Sequence, residues 1–485
     1  MTMTTPASIT QLDLALAAPE MFVLAAACVV LVVDLFVDDR RRWVTFALSL
    51  LTLAGASWVT SVSGFSERTV GWHGTYVADP LSSLIKIVAY GAVAVAFLYA
   101  YGYLQVRKIL KGEYFVLGLF ALLGIMVVAS ANSLVTLYLG VELLALSQYA
   151  MVAFHRESRV AGEAAIKYFV LGSIASGALL YGMSIVYGVT GSLELGVVSA
   201  TAAQMPAGQI GLLFGLAFIV VGIAFKFGAV PFHMWVPDVY HGAPTPVTLF
   251  LAAAPKLSSF AVAFRLLAEG LGSVHAQGWQ DMITMVAVLS IALGNVVAIV
   301  QVNIKRMLAY STISHVGFIL LGILAGTSEG YEAALYYTIA YVLMSVGGFG
   351  IVILLSRAGF EADALEDFKG LNARSPWFAA VMLMLMFSMA GVPPFIGFWA
   401  KLAVIQAVLH IGSVWLAIVA VAFSVVGAYY YLHVVKLMYF DEPVEHRALQ
   451  ASGAMRFVLS VNGLAVLVLG LFPGLLFALC AQVIP

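Results

Sequence analysis

Four charged residues lie in the middle of long apolar runs. Glu142, Lys226, Lys256 and Lys401 are each flanked by mostly hydrophobic sequence. An ionised side chain at the centre of a bilayer costs about 2.5–3.5 kcal/mol on insertion scales, so each needs a partner, water or a function. Because one carboxylate cannot neutralise three amines, at least two of these lysines must be neutral or hydrated.

Amines in this setting are suited to proton exchange. Burial disfavours the charged form of a lysine, whereas a nearby carboxylate favours it. A lysine balanced between these effects near neutral pH takes up and releases protons. We therefore predict that Glu142, Lys226, Lys256 and Lys401 form a proton relay. The alternative is that they are buried ion pairs that only fix helix packing.

His315 lies among the hydroxyl residues of the segment 311–315, in the middle of an apolar run. A neutral imidazole accepts a hydrogen bond on one nitrogen and donates one from the other. We expect His315 to bridge the gap between Lys256 and Lys401. A lone histidine in a protein core is more often a hydrogen-bonded polar residue with no further role, and that alternative stays open.

Other ionisable residues lie near the ends of apolar runs. Long side chains there can extend to the lipid headgroups while their stems stay in the apolar layer. We expect this snorkelling arrangement for Lys86, Lys167 and Arg265, and an equivalent position near a span end for Asp34 and Glu163.

The sequence around these charges has the composition of a membrane protein. Of 485 residues, 63% are hydrophobic and 10% are charged, against about 45–50% and 25% in soluble domains. Apolar runs of about 20 residues, enough to cross the hydrocarbon layer, recur throughout and predict an all-α polytopic fold of about fourteen transmembrane helices. The predicted spans are 19–37, 43–63, 81–103, 114–130, 132–154, 162–188, 208–240, 245–271, 279–300, 304–325, 331–356, 376–411, 413–437 and 456–480.

Lysine and arginine are distributed unevenly between the connections. Most of the 23 basic residues fall in alternate connections, and Arg68 lies on the opposite side. By the positive-inside rule, the basic connections are cytoplasmic, which predicts that both termini are extracytoplasmic.

Two of the predicted spans are too long for one membrane crossing. The runs 208–240 and 376–411 would each extend about 50 Å as continuous helices. Each contains a Gly/Pro interruption, in the segments 228–231 and 391–394. Because proline removes a backbone donor, we predict that the seventh and twelfth spans are broken helices with unpaired backbone groups near mid-depth.

The two breaks are five spans apart. This spacing predicts two five-helix repeats, spans 4–8 and 9–13, and an odd number of helices makes successive copies insert in opposite orientations. Chance similarity between proline-bearing helices is the alternative. The predicted units are residues 1–113, 114–271, 279–437 and 438–485. His233 and Asp238 follow the first break and are candidates for proton uptake, or else form hydrogen bonds at a helix end.

Several classes of function are disfavoured. Neither Cys28 nor Cys480 has a Cys or His at metal-ligand spacing, so we expect no metal site or iron–sulfur cluster. The sequence contains no nucleotide-binding glycine motif and no basic patch for nucleic acid. A stand-alone enzyme and a nucleic-acid partner are therefore not expected.

Four segments resemble a known family. They are 225–240 (FKFGAVPFHMWVPDVY), the mid-span Glu142, 304–315 (IKRMLAYSTISH) and 390–394 (AGVPP). Together they resemble the antiporter-like membrane subunits of respiratory complex I, NADH:quinone oxidoreductase, over spans 4–13. Lys401 stands where the M-type members typically carry a glutamate, and the chain has fourteen spans without the long lateral helix of the L-type.

The resemblance implies roles for individual residues. Glu142 pairs with Lys226, Lys256 is the central relay, and Lys401 connects to the outer half-channel, with His315 as a bridging group. It implies a proton-translocating subunit that moves protons outward when quinone reduction elsewhere in the complex changes the charge of this axis.

The resemblance also implies a setting. This chain is expected to hold no cofactor, while NADH, FMN, iron–sulfur clusters and quinone are used by other subunits. Expected partners are the M-type neighbour, small membrane subunits and, indirectly, the peripheral redox arm. The expected location is the bacterial inner membrane, with periplasmic termini. Subunits of multisubunit cation/proton antiporters and of energy-converting hydrogenases remain alternatives, as does a purely structural helix bundle.

Overall fold

The computed structural model describes residues 10–64, 67–206, 208–274, 278–443, 449 and 452–484. Part of the predicted C-terminal unit 438–485 thus lies outside the described residues. Within them, helices dominate, and the one sheet is a hairpin of β1 Thr69–Gly71 and β2 Tyr76–Ala78. The prediction of an all-α polytopic membrane protein is confirmed.

The helices follow the predicted spans in order. The N-terminal helices are α1 Gln11–Leu16, α2 Ala18–Leu35, α3 Trp43–Val62 and α4 Pro80–Val106. Next come α5 Glu113–Ala129, α6 Leu134–Val152, α7 Arg159–Thr190, α8 Leu195–Ala203, α9 Ile210–Phe227, α10 Trp235–Gly242, α11 Thr245–Ala252 and α12 Ala254–Ala263. The remaining helices are α13 Gln280–Ile299, α14 Ile304–Leu324, α15 Ser328–Leu355, α16 Leu371–Arg374, α17 Pro376–Ala390, α18 Ile396–His410, α19 Val414–Phe440, α20 Gly453–Leu471 and α21 Gly474–Val483.

Membrane-spanning length and composition agree with the predicted number of spans. Twelve helices in the described part of the chain are long and apolar enough to cross a membrane. The fourth predicted span is the shorter helix α5, and the twelfth is the pair α17 and α18. Every predicted span therefore corresponds to one helix or to a set of consecutive helices.

The structure contains both predicted breaks. Helix α9 ends at Phe227 and helix α17 at Ala390, each followed by a glycine in the left-handed conformation, with φ of 77° at Gly228 and 90° at Gly391. A glycine adopts this conformation without the steric penalty of a Cβ atom, so it ends the helix cleanly. The chain continues as α10 and α18, respectively.

The eighth span departs from the prediction of a continuous helix over 245–271. It consists of α11 and α12, which meet at Ala253 with φ −102° and ψ −87°, and of a π-helical segment Phe264–Gly270. Pro255 explains the first discontinuity, because it has no N–H to donate to the carbonyl of Leu251. Lys256 thus lies at the start of a helix, beside a local break.

Matching backbone contacts support the predicted repeat. The first residue of α6 and the first residue of α14 form equivalent hydrogen bonds. Leu134 N donates to Leu193 O at 2.9 Å, and Ile304 N donates to Asp363 O at 2.7 Å. A second pair has the same spacing: Leu195 N donates to Asn132 O at 3.0 Å, and Leu365 N donates to Val302 O at 2.9 Å. We propose 114–271 and 279–437 as the two units.

The two sets of contacts lie at opposite ends of α4. Ala131 bridges to Tyr76, just before α4 begins, whereas Glu361 accepts a hydrogen bond from Tyr103 near its C-terminal end at 2.7 Å. A helix of 27 residues is about 40 Å long. The equivalent ends of the two units therefore face opposite sides of the bundle, as an inverted repeat requires.

Burial separates central helices from peripheral ones. Helices α11, α12, α14 and α15 are buried along nearly their whole length, whereas α2, α3, α19 and α20 expose much of their apolar surface. Lys256 lies on α12 and His315 on α14, and both side chains are buried. Lys256 and His315 are therefore in the interior, while Glu142 and Lys226 are of intermediate burial.

The snorkelling prediction is wrong for Lys86 and Arg265. The Lys86 side chain is 4% exposed and its Nζ lies 2.6 Å from Glu20 Oε1. The Arg265 side chain is 1% exposed and lies 2.7 Å from Asp79 and 2.6 Å from Glu269. The sequence gives no signal of the Lys86–Glu20 and Arg265–Asp79 pairs, because the partners in each are distant along the chain.

The other residues near span ends are more accessible. Lys167 is 44% exposed and forms an ion pair with Glu163 at 2.8 Å, while Asp34 contacts Arg42 at 2.6 Å. Lys305, in the first turn of α14, is buried and donates to Ala243 O at 2.8 Å.

Candidate functional site

Glu142 lies in the middle of α6 and faces α7. Its carboxylate accepts a hydrogen bond from the Ser176 hydroxyl. Among the described residues, no direct ion pair joins Glu142 to Lys226, although the carboxylate is the main charged group that acts on that amine. Glu142 is thus held by a neutral partner within electrostatic range of Lys226.

Lys226 and Lys256 share one small cavity with a mostly apolar lining. It has a volume of about 20 Å³, and both lysines line it together with Gln148, Tyr168 and Ser259. A cavity needs roughly 10–15 Å³ and two or more polar partners to hold a water molecule. The cavity is therefore large enough for one water molecule.

Lys256 is held by the carbonyl that the first break releases. Its Nζ donates to Phe227 O at 2.9 Å, and Phe227 is the last residue of α9. The amine also lies 5.7 Å from the centre of the Trp235 ring. A carbonyl and an aromatic face bind an amine without neutralising its charge, so these contacts of Lys256 form no ion pair.

Lys401 has the same relation to the second break. Its Nζ donates to Ala390 O at 2.9 Å, and Ala390 is the last residue of α17. The amine also donates to the Ser424 hydroxyl at 2.8 Å and lies 5.2 Å from the Phe318 ring. Each broken helix therefore presents a terminal carbonyl to one buried lysine.

His315 joins a cluster of hydroxyl groups between α14, α15 and α19. Its Nδ1 is hydrogen-bonded to Tyr337 at 2.7 Å and its Nε2 to Tyr431 at 3.0 Å. Phe318, which contacts the Lys401 amine, follows one turn later on α14. Both ring nitrogens of His315 are thus bound to hydroxyl groups, and its role as a bridge between Lys256 and Lys401 stays a prediction.

The two candidates for proton uptake have different surroundings. Asp238 forms ion pairs with Lys167 and with Arg306, each at 2.9 Å, so it links α10 to α7 and α14 at a helix end. His233 lies in the segment between α9 and α10, and its buried Nδ1 has no hydrogen-bond partner among the described residues. The geometry of Asp238 matches the helix-end alternative, and proton uptake at either residue stays a prediction.

Some residues of the site carry no signal in the sequence. Ser176 and Ser424 bind relay residues, but nothing distinguishes them from the other serines of apolar spans. The carbonyls of Phe227 and Ala390 are different, because a Gly/Pro break always leaves such groups without helical partners. Their use as lysine ligands is a consequence of the predicted breaks.

The described residues contain no group of three or more His, Cys, Asp or Glu side chains that could hold a metal ion. Cys28 and Cys480 are both free thiols. The chemistry available at this site is therefore that of amines, a carboxylate, an imidazole and hydroxyl groups, all of which exchange or conduct protons.

Known proteins have sequences similar to that of this chain. A family model described as NADH:quinone oxidoreductase/Mrp antiporter, TM, matches residues 131–427. The chain is 60% identical over 467 residues to NADH-quinone oxidoreductase subunit N of Thioalkalivibrio sulfidiphilus (strain HL-EbGR7), covering 96% of this chain and 97% of that relative. The matched region includes all five predicted relay residues.

Solved structures share the fold. One chain of respiratory complex I from Thermus thermophilus with bound aureothin is 28% identical, with a TM-score of 0.81, and the match covers 96% of this chain and 99% of that chain. A chain of the membrane-bound sulfane sulfur reductase, an archaeal respiratory membrane complex, is 26% identical, with a TM-score of 0.85 and coverage of 97% and 96%.

Proposed function

This chain belongs to the NADH:quinone oxidoreductase/Mrp antiporter family of membrane subunits, and from that premise we propose how its buried charges act. The chain is a proton-translocating membrane subunit, and Glu142, Lys226, Lys256, His315 and Lys401 carry the protons. The observation that supports this most directly is that Lys256 and Lys401 are buried and donate to backbone carbonyls, while Lys226 lines a cavity, with no carboxylate in direct contact with any of the three amines.

The first step is electrostatic. A carboxylate near Lys226 stabilises its ammonium form, and moving that carboxylate away favours release of the proton. Ser176 offers Glu142 a position that is not in contact with Lys226. When Glu142 is held there, the proton on Lys226 passes through the cavity to Lys256.

The second half of the path lies between Lys256 and Lys401. Hydroxyl groups around His315 connect the centre of the bundle with the second break. A neutral imidazole accepts a proton on one nitrogen and releases one from the other. Lys401 receives the proton beside Ser424 and delivers it to the outer face.

The driving force comes from other subunits. We propose that the chain acts within an NADH:quinone oxidoreductase, where NADH, FMN, iron–sulfur clusters and quinone belong to partner chains. Its partners are other membrane subunits, including an M-type neighbour, and it resides in a bacterial inner membrane with periplasmic termini. The full-length similarity to a subunit N supports this assembly.

Two alternatives stay testable. The family also includes Mrp antiporter subunits, in which a cation gradient replaces the redox reaction. Co-purification with an NADH-oxidising arm supports the complex I assembly, whereas co-purification with small antiporter subunits supports the other. A purely structural bundle is disfavoured because it gains nothing from lysines that lack counter-ions.

The test of the relay uses Lys256→Met and Lys226→Ala in the complete complex. We expect both variants to assemble, since neither removes a partner from a buried carboxylate, and to pump fewer protons per electron. The measurement is the ratio of protons moved to quinone reduced in sealed vesicles. An unchanged ratio in both variants would contradict the relay, and loss of assembly in both would favour the structural bundle.

A further inference from the structure

A side chain of α13 binds the backbone of the first break, the segment between α9 and α10. Val230 N donates to Ser290 Oγ at 2.9 Å. The Ser290 side chain is fully buried, and Val230 is nearly so. The serine hydroxyl donates its own proton to Val286 O at 2.6 Å, which leaves its lone pairs to accept from Val230. The hydroxyl therefore joins the break to the backbone of α13.

The two breaks differ at this position. They read GAVPF at 228–232 and GVPPF at 391–395, and in both the second residue donates its N–H back into the preceding helix, at 2.8 and 2.9 Å. The third residue is Val230 in the first break and Pro393 in the second. Proline has no N–H. The first break thus has a backbone donor that the second lacks, and Ser290 accepts from it.

The same stretch of chain carries the carbonyl that binds the central lysine. Lys256 Nζ donates to Phe227 O at 2.9 Å, and Val230 follows Phe227 by three residues. Helix α9 fixes the position of one end of this stretch, and the hydrogen bond to Ser290 fixes the other. The direction of the Phe227 carbonyl therefore depends on both contacts.

We propose that Ser290 is a positioning residue for Lys256, an inference that rests on the proposed proton-translocating function. A carbonyl dipole stabilises an ammonium group more than a neutral amine, so the position of the Phe227 carbonyl sets how tightly Lys256 holds its proton. Ser290 lies on α13, the first helix of the proposed unit 279–437. The second unit thus orients the ligand of the central lysine in the first.

Removing the hydroxyl group should act on Lys256 through the backbone. Ser290→Ala leaves the Val230 N–H buried without its acceptor, which is unfavourable. The segment then shifts, and the Phe227 carbonyl moves with it. The titratable side chains that share a cavity with Lys256 are Lys226 of α9 and Tyr168 of α7, and the substitution changes neither of them.

The chain offers a matched control on α3. Ser49 is also fully buried, and its hydroxyl donates to Thr45 O, four residues earlier, at 2.8 Å. Ser290 has the same kind of bond within its own helix. Ser49→Ala therefore measures the effect of deleting such a hydroxyl where no break in a helix depends on it.

Two further substitutions separate the hydroxyl from its donor. Ser290→Thr keeps the hydroxyl, since threonine in a helix also bonds to the carbonyl four residues earlier. Val230→Pro removes the donor and introduces the residue type that the second break has at Pro393. The double variant Val230→Pro/Ser290→Ala therefore has neither the hydrogen bond nor a buried N–H without an acceptor.

The experiment compares Ser290→Ala, Ser290→Thr, Ser49→Ala and the double variant in the complete complex. The ratio of protons to electrons and its pH dependence are measured in sealed vesicles. We expect Ser290→Ala to lower the ratio and to move the alkaline limb of pumping to lower pH by up to about one pH unit, the effect of about one hydrogen bond. Ser290→Thr and Ser49→Ala should match wild type.

The double variant distinguishes positioning from stability. It should assemble at least as well as Ser290→Ala, while its pumping defect and shifted pH profile persist because the break is still not bound to α13. If the double variant assembles and pumps like wild type, the contact only stabilises the fold and the inference is wrong. An unchanged ratio and pH profile in Ser290→Ala would overturn it as well.

The outcomes are distinct from a failure of the proposed function. If Lys256→Met pumps poorly while Ser290→Ala matches wild type, the positioning role is wrong and the relay stands. If Lys256→Met and Lys226→Ala both pump normally, the proposed function itself fails.

Discussion

Two sets of buried charges in this molecule have opposite surroundings. At one end of α4, Arg265 contacts Asp79 and Glu269, and the same glutamate also binds Arg68 at 2.7 Å. Along the central axis, Lys256 and Lys401 donate to backbone carbonyls and lie beside aromatic rings. The first set consists of bases with carboxylate partners, and the second consists of bases without them.

This difference distinguishes anchoring from transport. A base locked between two carboxylates is charged permanently, and removing one partner leaves the others buried and uncompensated. A base bound only by neutral groups can lose its proton without leaving a carboxylate uncompensated. Burial by itself therefore does not separate the two sets of bases, whereas a contacting carboxylate does.

Arg265→Met is the variant with the largest expected effect on assembly, and it tests the set of bases that have carboxylate partners. The substitution leaves the buried Asp79 without its base, while Glu269 keeps only Arg68, and breaking a buried pair in this way costs about 3–5 kcal/mol. We expect strongly reduced assembly and a lower temperature of dissociation, measured as the amount of intact complex in membranes and by thermal inactivation. Proton pumping per electron in any residual complex should be normal.

The matched variant is Lys256→Met, which removes a buried base that has no contacting carboxylate. It should assemble far better than Arg265→Met. Combining Arg265→Met with Asp79→Asn and Glu269→Gln should restore part of the lost assembly, since asparagine also caps α4 well. Equal assembly of the two single methionine variants would remove the basis of the comparison.

More of the fold than of the site could be predicted from the sequence. Apolar length and the Gly/Pro breaks depend on local sequence, so α9 ending before Gly228 and α17 before Gly391 follow from the residues themselves. The break at Ala253 was missed, although Pro255 is its cause, because the predicted span 245–271 has the length of a single membrane crossing. The pairs Lys86–Glu20 and Arg265–Asp79 were missed because they join helices that only the tertiary fold brings together.

The same distinction between local sequence and tertiary contacts applies to the residues of the site. Lys256 and Lys401 could be predicted because a charged amine at the middle of a span is unfavourable in free energy whichever way the side chain is directed. Their partners were not, since a carbonyl is present at every residue and Ser424 is one serine among many. Glu142 was expected to pair with Lys226, yet its hydrogen bond is to Ser176, which only the packing of α7 on α6 reveals.

A second prediction removes the charge of Glu142 while keeping its shape. Glu142→Gln can still accept the hydrogen bond from Ser176, but it no longer stabilises the ammonium form of Lys226. The loss of stabilisation of the Lys226 ammonium form is at most about 4 kcal/mol. This is the attraction between unit charges about 4 Å apart at an effective dielectric constant of about 20. We expect normal assembly and a reduced ratio of protons to electrons.

The control for Glu142→Gln is Glu20→Gln, which neutralises the carboxylate that contacts Lys86 at 2.6 Å. That variant should lose assembly and keep the pumping ratio of the complex that remains. The reverse pattern, in which Glu142→Gln fails to assemble and Glu20→Gln alters the ratio of protons to electrons, would indicate that the bases with carboxylate partners carry the protons.

The smallest expected effect is that of Ser176→Ala. A hydrogen bond to a charged group contributes about 1.5–3 kcal/mol, and its loss releases the Glu142 carboxylate from α7 toward Lys226. Because a closer carboxylate holds the proton on Lys226, turnover should slow while assembly and the ratio of protons to electrons stay near wild type. The measurement is the rate of quinone reduction under coupled and uncoupled conditions. Ser173→Ala, at an exposed position on the same helix, is the control, and equal rates in the two alanine variants would show that Ser176 does not set the position of Glu142.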